Sequence, residues 1–133
     1  MAGIVVLDAG VLIGLLDSGD RHHVWAMRIF KETLSYELSM SVLTYAEVMV
    51  HPQKAGKAAE FQQRIAGLHL NLRGFGTEDA MAVAELRALT SLKMPDVLVL
   101  HAAQSQGAAL ATTDNALADQ ARAHGLSVLH SGD

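Results

Sequence analysis

Gly3-Ile4-Val5-Val6-Leu7-Asp8 is an apolar, β-branched run that ends abruptly in a carboxylate. Four consecutive apolar residues, Ile4 to Leu7, predict a strand covered on both faces, as at the centre of a parallel sheet. Ligands bind such sheets outside the carboxyl ends of the strands, so this strand delivers Asp8 to the edge where chemistry is expected.

The chain downstream alternates between the two periodicities. Val11, Leu12, Leu15 and Leu16 have helical spacing and follow Asp8 with almost no loop. Asp17-Ser18-Gly19-Asp20 breaks that helix, and Asp20 is placed to cap a second over residues 21–36, with Val24, Met27, Ile29, Phe30 and Leu34 as its inward stripe. A short strand is expected over 38–42 and a helix over 43–50, which Pro52 either ends or follows as the start of the next. A polar-faced helix over 54–68 turns Ala58, Phe61, Ile65 and Leu68 inward, and residues 69–75 supply a third strand. Gly74 and Gly76 mark a turn, Thr77 is the expected N-cap, and Glu78 and Asp79 complement the dipole of a helix running to Leu92. Met94-Pro95-Asp96 opens another helix that lasts until Gly107, because proline suits the first helical turn. Residues 108–112 form a strand, Thr113-Asp114-Asn115 leads into a helix ending near Gly125, and 127–130 form an edge strand. The alternation predicts a three-layer α/β/α sandwich around a mainly parallel sheet, in a single domain over 1–133.

Composition narrows the chemistry. The chain has no cysteine, which excludes disulfides and thiolate zinc sites and suits a reducing cytoplasm. Ten Lys plus Arg against fourteen Asp plus Glu give a formal charge of -4, the wrong sign for binding nucleic acid through a broad basic face. The apolar stretch 3–16 is not read as a signal peptide, since no Lys or Arg precedes it and Asp8 interrupts it. A protein free of membranes is expected. His22 and His23 are adjacent on a helix, about 100° apart, and make poor partners on one metal.

Four acids stand out. Asp8, Asp96 and Asp114 each lie at or beside a helix start, where a carboxylate has the ordinary role of capping amides. Glu47 has no such role: it lies mid-helix among Tyr45, Ala46, Val48, Met49 and Val50, one turn after Thr44. It either faces solvent or is held inward by a positive species. Several carboxylates without cysteine are the ligand set of hard divalent ions such as Mg²⁺ and Mn²⁺. Clustered acids without a counterion repel one another, so at least one titrates at raised pH.

Asp8-Ala9-Gly10-Val11-Leu12-Ile13, Thr44-Tyr45-Ala46-Glu47-Val48, Met94-Pro95-Asp96 with the apolar helix up to Ala103, and Thr112-Thr113-Asp114 resemble, in order and spacing, the four motifs of PIN-domain ribonucleases. Many small members of that family are VapC-type toxins of toxin–antitoxin pairs. The resemblance implies a five-stranded sheet of order 3-2-1-4-5, with Asp8 and Asp114 leaving neighbouring strands and Glu47 and Asp96 reaching in from helices. It further implies an Mg²⁺- or Mn²⁺-dependent endoribonuclease in which Asp8, Glu47, Asp96 and Asp114 are catalytic, Asp8 and Asp96 bind metal directly, and Thr112 supports the site by hydrogen bonding. A homodimer and a cognate antitoxin are implied as partners beside RNA. Gly10 departs from the family pattern, which commonly has Ser, Thr or Asn there. Asp119, one turn beyond Asn115, is read as an acid on a solvated helix face.

Three rival functions fit the residues less well. A haloacid-dehalogenase-like phosphatase needs a second acid two residues after the first, where this chain has Gly10. A receiver-type signalling domain wants a second acid beside Asp8 and a Lys after a late strand, and neither Leu7-Asp8-Ala9 nor Ala111-Thr112-Thr113-Asp114 supplies it. A catalytically silent PIN module used only for binding has no need of all four acids.

Overall fold

The computed structural model describes residues 3–133. Five strands, β1 (Ile4–Leu7), β2 (Glu37–Ser41), β3 (Asn71–Arg73), β4 (Ala109–Thr112) and β5 (Val128–His130), form one sheet of order β3-β2-β1-β4-β5. All four pairings are parallel, with Val6 opposite Ser39 on one side and Leu110 on the other. The sheet therefore has the expected order, and β1 is its centre.

The apolar run of β1 is explained by its two faces. Val5 and Leu7 point into one core with Leu12, Ile29, Met40, Val48 and Ile65, whereas Val6 points into the other with Val97, Leu100, Leu110 and Leu117. Helices α1 (Ala9–Leu16), α2 (His23–Glu32), α3 (Val42–Lys54) and α4 (Ala58–Ala66) contribute to the first core; α5 (Thr77–Leu89), α6 (Met94–Gln106) and α7 (Asn115–Ala123) contribute to the second. Leu12, Leu100, Leu110 and Leu117 are fully buried, and each contributes about 1.5–3 kcal/mol by leaving water.

Several local expectations are corrected. α2 is shorter than predicted, and its inward stripe is right only in part: Ile29 is buried and Phe30 packs against the core, but Val24 is 81% and Leu34 70% exposed, Met27 is exposed too, and Ala26 is buried instead. The reason is close approach to α1, where a Cβ on Gly14 would lie 3.5 Å from Cβ of Ala26. Small residues at that crossing bring Ala26 inward and rotate Val24 out. Asp20 holds the entry to α2, accepting the His22 amide N–H at 2.9 Å.

Pro52 does not end α3, which continues to Lys54. It lies in the last turn, where only one backbone bond is lost, and Ala55 N–H still closes on the His51 carbonyl at 3.0 Å. α4 accordingly begins at Ala58 rather than at Lys54. Thr77 is not a cap; Gly76 holds that position and Asp79 Oδ2 accepts its N–H at 2.8 Å. α5 ends at Leu89. Gly107 terminates α6 at φ 59°, a left-handed conformation in which glycine carries no Cβ penalty.

A carboxylate cluster at the centre of the sheet

α1 starts where β1 stops because Asp8 caps it: Oδ1 accepts the Ala9 N–H at 2.7 Å. Oδ2 accepts a hydrogen bond from Thr112 Oγ1, also at 2.7 Å, at the end of the adjacent strand β4. The same hydroxyl accepts the Asp114 N–H at 2.9 Å, and Asp114 Oδ1 caps α7 by accepting the Leu117 N–H at 2.8 Å. Asp8 and Asp114 thus stand beside each other at the carboxyl edge, where the chain order reverses between β1 and β4. Both perform the ordinary capping role, and each is held in place by it.

Asp96 arrives in the first turn of α6 and Glu47 from the middle of α3. Their charges act on one another. Loss of water by burial raises the Asp8 carboxyl above its ordinary value; hydrogen bonds from Thr112 and Ala9 oppose this, and the Asp114 charge adds to it. Glu47 stands at the exposed rim, where partial desolvation raises it first and the Asp8 charge second. Asp96 is pushed up to about 6, first by burial and then by Asp114, Asp8 and Glu47, with Lys93 opposing. Of the two expected places for Glu47 the structure shows the solvent-facing one, and none of the described residues forms an ion pair with it.

The structure thereby brings the four sequence-predicted acids and Thr112 together, and it leaves Asp119 exposed on α7, outside the cluster. Among the described residues no three His, Asp or Glu side chains are drawn up closely enough to form a ligand set as they stand. The raised carboxyls of Asp8, Glu47 and Asp96 nevertheless mark an unneutralised acidic space, and carboxylate oxygens are the donors a hard divalent ion takes. The donor set fits Mg²⁺ or Mn²⁺. His22 and His23 do not contribute, since His23 Nδ1 is 2.7 Å from the Gly14 carbonyl oxygen and His22 faces Asp20.

Two features escaped sequence reasoning. Thr113 Oγ1 abuts Gly10 across the start of α1, a proximity with no signal in residue spacing. His101 Nε2 donates to Asp79 Oδ1 at 2.8 Å and meets the Phe75 ring edge-on, tying the start of α5 to α6. The Gly76 N–H and His101 hold the Asp79 carboxyl below its ordinary value.

A groove of ≈ 540 Å³ runs from Glu47 between α1, α3 and α4, floored by Ile13, Leu16, Val48 and Phe61. Arg64 braces its far wall, donating to the Leu16 carbonyl at 2.6 Å while its guanidinium lies over the Phe61 ring at 5.2 Å. No helix among the described residues is long and apolar enough to cross a membrane.

Solved structures share this fold. A toxin–antitoxin complex from Klebsiella pneumoniae contains a chain 27% identical, aligned over 83% of this chain and 86% of that one with a TM-score of 0.66. VapBC2 from Rickettsia felis, crystallised with a promoter DNA fragment, aligns over 96% and 98% at 16% identity and a TM-score of 0.70. VapC20 from Mycobacterium tuberculosis, a toxin that cleaves the sarcin–ricin loop, aligns over 87% and 94% at 11% identity and a TM-score of 0.71. The latter two likenesses are of fold alone. A search of curated proteins by sequence found no match. The PIN-domain profile matches residues 5–123, from the first strand to the last helix, and the chain belongs to the PIN-domain family.

Proposed function

We propose that this chain is a divalent-metal-dependent endoribonuclease, one nuclease domain over 1–133 that acts in the cytoplasm as the toxin of a toxin–antitoxin pair. The observation that carries the reading is the set of four acids, Asp8, Glu47, Asp96 and Asp114, that meet at the switch point, where burial and the charges of their neighbours raise the carboxyls of Asp8, Glu47 and Asp96. Family membership and the likeness to toxin–antitoxin proteins support it.

A phosphodiester is anionic and four carboxylates repel it. Mg²⁺ or Mn²⁺ held by these acids would reverse the local sign and make water a better nucleophile near neutral pH. Asp8 is the fixed ligand, because Thr112 and Ala9 hold both of its oxygens in place while each keeps a lone pair. Asp96 is the second, with neither oxygen committed to a protein hydrogen bond among the described residues; it must lose its proton to serve. Glu47, at the solvated rim, and Asp114, with Oδ2 uncommitted, orient the attacking water. Water adds to phosphorus as the P–O3′ bond breaks, leaving a 5′-phosphate and a 3′-hydroxyl.

The antitoxin reading draws on the groove. A segment lying against Ile13, Leu16, Val48 and Phe61 would run toward Glu47, and an Arg or Lys carried on it would enter the acidic space, compete with the metal and form charge-assisted bonds to the carboxylates. Exposed Met81 and Leu89 on α5 supply apolar surface for the expected homodimer, which light scattering at micromolar concentration tests.

The nuclease reading is tested by incubating the chain with RNA after thorough chelation. Cleavage should vanish in EDTA and return with Mg²⁺ or Mn²⁺; cleavage undiminished by chelation would sink the metal mechanism.

A further inference from the structure

Gly10 lies in the first turn of α1, two residues after Asp8, and a Cβ built on it would stand 2.7 Å from Oγ1 of Thr113. That is closer than a carbon and a hydroxyl oxygen approach, so a side chain on residue 10 and this hydroxyl in its present rotamer exclude each other. Thr113 connects Thr112 to Asp114, and the two threonines are used differently. The Thr112 hydroxyl is spent, donating to Asp8 and accepting from the Asp114 N–H. The half-buried Thr113 hydroxyl makes no hydrogen bond to protein among the described residues. It touches position 10, two residues after Asp8, and belongs to the residue before Asp114, two acids whose ionised carboxylates have lone pairs in excess and can only accept.

We propose that Thr113 is a positioning residue of the acid cluster. Its hydroxyl, seated in the space that a side chain on residue 10 would fill, donates into the gap between Asp8 and Asp114 and orders the oxygens there for a divalent ion. The inference rests on the metal-dependent reading of those acids. It also accounts for Gly10: with the Thr113 hydroxyl seated where it is, the α1 position has no room for a side chain, and the hydroxyl comes from the loop after β4 instead.

The test is Mn²⁺ titration followed by calorimetry, with RNA cleavage measured in parallel. Thr113→Val keeps the shape of the side chain and should melt as wild type in EDTA, yet bind Mn²⁺ about tenfold or more weakly, the usual loss when a group supporting a metal ligand is removed. Thr113→Ser should bind close to wild type. Thr113→Ala should lose affinity, and Gly10→Ser combined with it should regain most of the loss, because a serine there brings a hydroxyl into the same space from the opposite side. Gly10→Ser alone should weaken binding by crowding Thr113. Wild-type affinity in Thr113→Val, or a double variant no better than Thr113→Ala, would overturn the proposal. Binding is read without RNA, so a chain that binds Mn²⁺ in this Thr113-dependent way but cuts no RNA would defeat the nuclease reading and leave this inference standing. No Mn²⁺ binding by wild type would overturn both.

Discussion

Thr112 Oγ1 donates to Asp8 Oδ2 at 2.7 Å across 104 residues of sequence, joining the ends of the two central strands. Because the same oxygen accepts the Asp114 N–H, one fully buried hydroxyl fixes the position of two acids. The site is thus tied to the hydrogen-bonded edge of the sheet rather than to a mobile loop.

Thr112→Val should therefore be costly out of proportion to its size. It strands a buried carboxylate oxygen and an amide donor, a loss of about 2–3 kcal/mol in total, and it removes a bond that lowers the Asp8 carboxyl, which should rise further. Thr112→Ser keeps the hydroxyl and gives up a buried methyl, about 1 kcal/mol. Urea unfolding of both variants checks the order, and Thr112→Ser less stable than Thr112→Val would contradict it.

Asp96 makes the metal-free chain pH-sensitive. Its folded carboxyl titrates at about 6, against an ordinary 3.8, so the folded state binds more protons between those values and stability falls as pH rises through that window. The penalty is absent below pH 3.8 and complete above 6. With the side chain partly solvated, screening reduces it to on the order of 1 kcal/mol. In EDTA, Asp96→Asn should flatten the dependence between pH 4 and 7. Metal affinity should move the other way, weakening as pH drops below 6 and the ligand is protonated. Identical pH–stability curves for both proteins would show that Asp96 feels no such repulsion.

Arg64→Ala should loosen the groove wall. It removes the bond to the Leu16 carbonyl and the contact over Phe61, together worth about 1–2 kcal/mol. Arg64→Lys should recover part of that at most, since an ammonium lacks the planar fork. Chemical denaturation reads both, and an unchanged midpoint for Arg64→Ala would remove the brace.

The architecture was legible because β1 is buried on both faces, Val5 and Leu7 into one core and Val6 into the other, and so shows as an uninterrupted apolar run. Glu47 was legible by its lack of any local duty in the middle of α3. The inward face of α2 was legible only at Ile29 and Phe30, because spacing reports that a helix is amphipathic but not which small residues its neighbour offers; Gly14 and Ala26 decide the rest. Thr77 is not the cap that its residue type suggests, because Asp79 serves the Gly76 N–H from within the first turn. The meeting of Gly10 with Thr113 depends on how two loop-to-helix junctions dock, and no local pattern encodes it.

The central claim is that the four acids form a divalent-ion site anchored on Asp8 and Asp96. Thermal melts of wild type, Asp8→Asn and Asp96→Asn at pH 7, each in EDTA and in Mn²⁺, test it most directly. In EDTA, Asp96→Asn should be as stable as wild type or more so, since one of several repelling charges is gone. Mn²⁺ at a hundredfold excess over its dissociation constant should stabilise wild type by roughly 2.7 kcal/mol and both variants far less. Equal Mn²⁺-induced shifts in all three proteins would contradict the account.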